Sequence, residues 1–181
     1  MNITETLNVS SRAEWRTWLM EHHATAKEIW LIYYIRQSGK PSIAYLDSVE
    51  EALCFGWIDG IQKKLDDERA AQRFTPRRAK GNWTELNKER ARRLIASGQM
   101  TAAGLAVLPD LSAPFHFPAD ILAALQADPV TWENYQRFPH VYKRIRVTYI
   151  EAARQQPEEF QKRLDKFVNM TRQNKMFGGI E

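Results

Sequence analysis

The chain has 181 residues, 44% of them hydrophobic and 27% charged, close to ordinary soluble globular values. At roughly 150 residues per domain there is room for one domain, or one domain with a helical appendix. Wholesale disorder, a collagen repeat and a disulfide scaffold are excluded, and with Cys54 as its only cysteine the chain can form neither an internal disulfide nor a multi-cysteine zinc site. The net charge of +4 is unevenly spread. Residues 1–60 carry five basic against eight acidic side chains, Arg73 to Arg93 eight against two, and Arg137 to Lys175 ten against four. Two basic clusters point to an anionic partner, set against the default reading of a solvated charged face.

In chain order, the first residues lack the basic start and apolar core of a secretory signal. The longest apolar run, Ile29 to Ile35, falls far short of the ~18 residues of a membrane span. The expectation is a cytoplasmic protein with no membrane span. Ser11 with Glu14 three residues on predicts a capping box and a helix presenting Trp15, Trp18 and Leu19 on one face. Glu28 to Arg36 is continuously apolar, β-branched and aromatic, which suits a strand covered on both faces. From Asp47 the positions Val49, Ala52, Leu53, Gly56 and Trp57 recur at helical spacing, with Asp47 or Ser48 as N-cap and an end near Gly56. Ile61 to Leu65 and Ala71 to Thr75 flank a polar turn and predict a hairpin. Thr84 to Ser97 reads as an amphipathic helix stopped by Gly98.

Residues 109–118 hold three prolines without periodicity and read as a packed connection. Beyond them Asp128-Pro129, Phe138-Pro139 and Gln156-Pro157 divide the remainder into short helices, the last carrying the stripe Phe160, Leu164, Phe167, Val168 and Thr171. The expected fold is α+β: a small antiparallel or mixed sheet with helices in residues 1–108, then a helical unit over 119–181 belonging to the same globule. An all-helical chain is the alternative.

Chemistry concentrates where elements end: Phe55-Gly56-Trp57-Ile58-Asp59-Gly60, Arg73 to Arg78, and Asn82 to Asn87. The outer ends of a hairpin are adjacent, so Asp59 is expected near Arg73 and Arg77. Guanidinium groups offer a planar donor fork to carboxylate or phosphate, and tryptophan a stacking surface. Trp57, Asp59, Arg73, Arg77, Arg78, Trp83 and Asn87 are therefore the candidate ligand-binding set. The structural alternative is that Asp59 caps a turn or pairs an arginine, with Trp57 and Trp83 in the core. No metal-ligand spacing, cofactor loop or catalytic constellation is visible, so no metal, cofactor or catalytic residue is named. Cys54 reads as a buried, inert thiol.

Glu51-Ala52-Leu53-Cys54-Phe55-Gly56-Trp57-Ile58-Asp59-Gly60, with Leu65 to Arg69, Gln72 to Arg78, Trp83 to Asn87 and Gly98 to Gly104, closely resembles the YdeI/OmpD-associated family, also called bacteriocin-protection proteins. The resemblance spans residues 28–105 and continues through Tyr149-Ile150 and Ala153-Arg154 to Lys162-Arg163. One departure is Glu159-Phe160, where family members carry a Thr-Arg pair before the arginine that Arg163 resembles. The resemblance implies a bacterial protein associated with antimicrobial-peptide tolerance and assigns no catalytic residue. Three functions stay open: a small-anion binding module, a non-specific nucleic-acid-binding protein drawing on the basic helices, and a hydrolase with Asp59 as base.

Overall fold

A computed structural model of the chain describes residues 2–78 and 81–179; Lys80, one of the basic cluster, lies outside the described residues. The fold is α+β, with strands in the first part and helices after residue 85. Two compact units emerge, one of Met1–Asn82 with Ala91–Pro109, the other of Trp83–Arg90 with Asp110–Glu181. The second therefore takes in residues 83–90, which the sequence places in the first.

The first unit is built on a four-stranded sheet in the order β1-β2-β4-β3. β1 (Thr6–Leu7), which no sequence signal marks, runs parallel to β2 (Ile29–Tyr34). β2 pairs antiparallel with β4 (Arg69–Pro76), and β4 with β3 (Trp57–Lys64). The turn between β3 and β4 is set by Asp66, whose carboxylate accepts from the backbone amides of Glu68 and Arg69 at 3.0 and 2.8 Å.

Opposed residues of antiparallel strands share a face, and neighbours along a strand alternate. Ile29 opposite Phe74, and Leu31 opposite Gln72, thus point one way, toward α1 (Arg12–His22) and α2 (Tyr45–Cys54). There Trp15 and Leu19 close the core against Phe74, with Trp15 and Phe74 ring centres 5.5 Å apart. Each such side chain contributes roughly 1.5–3 kcal/mol by leaving water. Trp30, Ile32 and Ala71 point the other way and pack with Ile3 and Tyr34, so β2 is covered on both faces.

Local capping chemistry places α1 but not α2. Ser11 caps α1 through the Glu14 amide, and the Glu14 carboxylate returns to the Ser10 amide at 2.7 Å, one residue earlier than a capping box requires. α2 starts at Tyr45, two residues before the expected cap, and Ala44 caps it without a side-chain bond. Asp47 and Ser48 are committed elsewhere: Asp47 pairs with Arg12, and the Ser48 hydroxyl donates to the Tyr45 carbonyl at 2.7 Å. Gly56, at φ 75°, then turns the chain directly into β3.

After α3 (Glu85–Ala96) and the short α4 (Ala102–Ala106) come α5 (Ala119–Gln126), α6 (Pro129–Arg137), α7 (His140–Glu151) and α8 (Pro157–Arg172). Pro129 and Pro157 open their helices, while Pro139 stands one place earlier as the cap of α7. The second unit's core comprises Ile121, Leu125, Tyr135, Phe138, Tyr142, Val147, Ile150, Leu164 and Phe167, and Phe115 and Phe117 of the connection pack against it. Glu85, 6% exposed, pairs with Lys88 and Arg144, and Glu89 also pairs with Arg144. Among the described residues no helix is long and apolar enough to cross a membrane.

Candidate functional site

The open end of the β3–β4 hairpin places Trp57 opposite Pro76 and Ile58 opposite Thr75. The chain continues past β4 with the Arg77 amide donating to the Gly56 carbonyl at 2.8 Å, which fixes Arg77 beside the start of β3. Ile58, Thr75, Pro76, Arg77, Arg78, Gly81 and Asn82 line a cleft of about 180 Å³ there. Arg78 is exposed, whereas Arg77 is only 9% exposed. Burial pushes the Arg77 guanidinium down to about 10, with the charge of nearby Asp59 acting in the opposite direction, as expected for a cation withdrawn from water.

The remaining candidates separate. Asp59 opposes Phe74, so it lies on the helix-facing side, where it accepts the Tyr45 phenol at 2.6 Å. Arg73, next to Phe74 along β4, points to the other face and donates to the Glu28 carboxylate through Nε at 2.7 Å and through Nη2. Thr4 and then Arg73 hold the Glu28 carboxyl below the usual carboxylate range. Trp57 is 1% exposed: its indole N–H donates to the His23 carbonyl at 3.2 Å and its ring meets Trp18 edge-on at 5.8 Å. Trp83 and Asn87 fall in the second unit, with the Asn87 carbonyl oxygen accepting from Arg90 at 3.0 Å. Of the seven, only Arg77 and Arg78 line the cleft, with Asp59 acting on Arg77 by charge. The hairpin does bring its outer ends together, but strand alternation sends Asp59 and Arg73 to opposite faces, and Trp57 enters the core.

A polar chain that sequence reasoning missed runs beside Asp59. The Ser48 hydroxyl is committed as donor to the Tyr45 carbonyl, so the Tyr33 phenol donates to Ser48 Oγ at 2.5 Å. Burial, with a smaller push from Asp59, raises the Tyr33 phenol to about 12. Tyr33 and Tyr45 also line an open cleft of about 540 Å³ with Arg36 and Lys40. The only sequence signal for this group is the alternation of Tyr33 with Tyr34 at the end of a strand otherwise read as core.

The polar residues lining the hairpin cleft are Arg77, Arg78, Thr75 and Asn82, of which the two arginines can only donate. Donors of this kind are chemically suited to an oxyanion. Cys54 supplies no nucleophile there, because it is fully buried and burial, then Glu51, pushes its thiol up to about 11. Among the described residues no group of three His, Cys, Asp or Glu side chains is arranged to hold a metal ion.

No curated protein and no solved structure matches the chain. Two family models do, in adjacent segments. Residues 114–174 match the family described as bacteriocin-protection, YdeI or OmpD-associated. Residues 7–107 match a domain of unknown function and hold most of the motifs that carry the resemblance. The chain therefore belongs to the domain-of-unknown-function family DUF8412 and carries, after it, a domain of the bacteriocin-protection, YdeI or OmpD-associated family.

Proposed function

We propose that the protein is a cytoplasmic anion-binding module, with Arg77 and Arg78 as the groups that hold the ligand, acting in tolerance of antimicrobial peptides. The observation that carries this reading is the pairing of a nearly buried guanidinium with an exposed one in a single donor-rich cleft. Holding two cations side by side is repulsive in a region of reduced dielectric. The Asp59 charge offsets one of them, and a bound anion offsets the other.

The link to antimicrobial peptides comes from the description of the family matched by residues 114–174. Direct capture of cationic peptides is a poor mechanism for a chain of net charge +4, since like potentials repel at long range. A ligand-controlled route inside the cell fits the charge better. Binding of a basic peptide that tightens as salt is lowered would overturn that part of the reading.

Inorganic phosphate is the first probe. At a hundredfold excess over its Kd, phosphate should stabilise the fold by about 2.7 kcal/mol and raise the melting temperature by roughly 5–10 °C. Arg78→Ala removes an exposed side chain, so it should leave the ligand-free melting temperature unchanged and abolish the phosphate shift. A full phosphate shift in both Arg77→Ala and Arg78→Ala would sink the proposal.

A further inference from the structure

We propose that the face shared by α7, α8 and the segment following α8 binds single-stranded nucleic acid, with Tyr149 as the stacking ring and Arg146 and Lys166 as the phosphate contacts. On α7, Tyr142, Arg146 and Tyr149 follow at helical spacings of four and three, and on α8 Glu159, Arg163 and Lys166 do the same. Side chains so spaced stand in line along one side of a helix. The contacts join the two lines. The Arg163 guanidinium lies 4.1 Å from the centre of the Tyr149 ring, held there by Glu159 and by the Tyr149 carbonyl, each at 2.7 Å. Arg146 lies 5.8, 5.7 and 5.5 Å from the rings of Tyr142, Tyr149 and Phe177. Lys166 lies 5.1 Å from the same Phe177 ring.

Two features of this face point outward to a ligand. Arg146 and Lys166 converge on one ring, and neither pairs with a carboxylate among the described residues, unlike Arg137, Arg154 and Arg163. The Arg146 guanidinium donates to the Gly179 carbonyl through Nη2 at a long 3.4 Å, so its donor capacity is only partly used. The chain wraps this arginine closely: Gly178 sits at φ 71°, and a Cβ there would strike the guanidinium. Tyr149 is 46% exposed although large and aromatic.

Two cations without carboxylate partners beside an exposed ring match a chain of phosphates carrying unpaired bases. Bases stack on aromatic side chains only when they are not sealed in a duplex, and phosphates take the guanidinium and ammonium groups. A duplex would meet the charges but leave Tyr149 without a role, and an acidic peptide or an anionic membrane would likewise bind independently of the ring.

The test is fluorescence anisotropy of the full chain with a labelled, mixed-sequence single strand of about 20 nucleotides across a salt series. Two phosphate contacts predict a slope of about −1.4 in log K against log salt, since each contributes about −0.7 on a single strand. Lys166→Gln, at an exposed position, should reduce the slope by about 0.7, while Arg137→Gln on α6 leaves it unchanged. Tyr149→Ala should weaken binding at least about fivefold, and Tyr149→Phe should restore it. Absence of saturable binding at low salt, wild-type binding by both Tyr149→Ala and Lys166→Gln, or equal affinity for the duplex would each overturn the proposal.

Discussion

Glu51 is 3% exposed and remains paired because two arginines one turn apart on α1 reach it: Arg12 Nε at 2.6 Å and Arg16 Nη1 at 2.7 Å. Breaking a buried pair by removing one partner typically costs about 3–5 kcal/mol. Arg16→Ala leaves Arg12 in place, so its cost should fall at or below the lower end of that range, read as a drop in the urea midpoint at unchanged slope. The same carboxylate bears on Cys54. Its folded thiol is raised to about 11 from an ordinary value of 9.0. Because the folded value lies above the unfolded one, the stabilising contribution is complete below pH 9 and lost as pH rises through 11. Between pH 8 and pH 10 the protein should lose about 1 kcal/mol of stability through this group, a slope that Cys54→Ala flattens. An identical slope in that variant would show that other groups set the alkaline limit. The inert character of Cys54 is legible because no basic group stands near it in sequence to lower its pKa, whereas the Arg12 and Arg16 pairings depend on two helices meeting and leave no trace in local spacing.

At the scale of elements, the junction of α2, β3 and α4 accounts for the motifs that carry the resemblance. Gly56 must take a positive φ to turn α2 into β3, and a Cβ on it would lie 2.9 Å from the Ala103 carbonyl. Gly104 faces the Cys54 carbonyl so closely that a Cβ there would overlap it and the Met100 methyl. The Cys54 carbonyl, left without a partner by the end of α2, accepts from both the amide and the hydroxyl of Thr101, at 3.1 and 2.6 Å. Gly104→Ala should therefore destabilise by about 3 kcal/mol or more, the upper end for an overpacked contact, because the atom it strikes is backbone, whereas Gly98→Ala, with open space around it, should show only the backbone cost of its positive φ, about 1–2 kcal/mol. Equal losses in thermal melts would rule out close approach as the reason for Gly104. The hairpin, the strand at Ile29 and the proline-led helices were readable because periodicity and turn chemistry are local signals. β1 was not, since two residues pairing in parallel with a distant strand carry no periodicity. The sequence puts the start of α2 too late because Asp47 and Ser48 look like caps, yet their side chains serve Arg12, Tyr33 and the Tyr45 carbonyl instead. The candidate site suffered from the same limit. Adjacency of the hairpin ends was legible, but the face each side chain takes follows from a register that only pairing sets.

Over the whole molecule, the two family matches meet between residues 107 and 114, near the proline-rich connection, while the compact units divide the chain differently by assigning Trp83–Arg90 to the second. That segment supplies Glu85 and Glu89, the carboxylates that Arg144 meets at 3.4 and 3.1 Å with its own side chain 16% exposed. A fragment of residues 119–181 would keep the aromatic core of α5 to α8 but leave Arg144 without either carboxylate. Stranding a buried charge costs on the order of 3–5 kcal/mol, which is comparable to the whole stability of about 5 kcal/mol at the low end for a small domain. A chain of about sixty residues is marginal even without that loss. We therefore expect residues 119–181 to melt weakly and without cooperativity, and residues 83–181 to melt in a single sharp transition. Arg144→Met in the shorter fragment removes the stranded charge while keeping most of the side chain's apolar length, and should recover part of the lost cooperativity. If the shorter fragment already melts sharply, the helical segment is an independent domain and residues 83–90 contribute nothing essential to it.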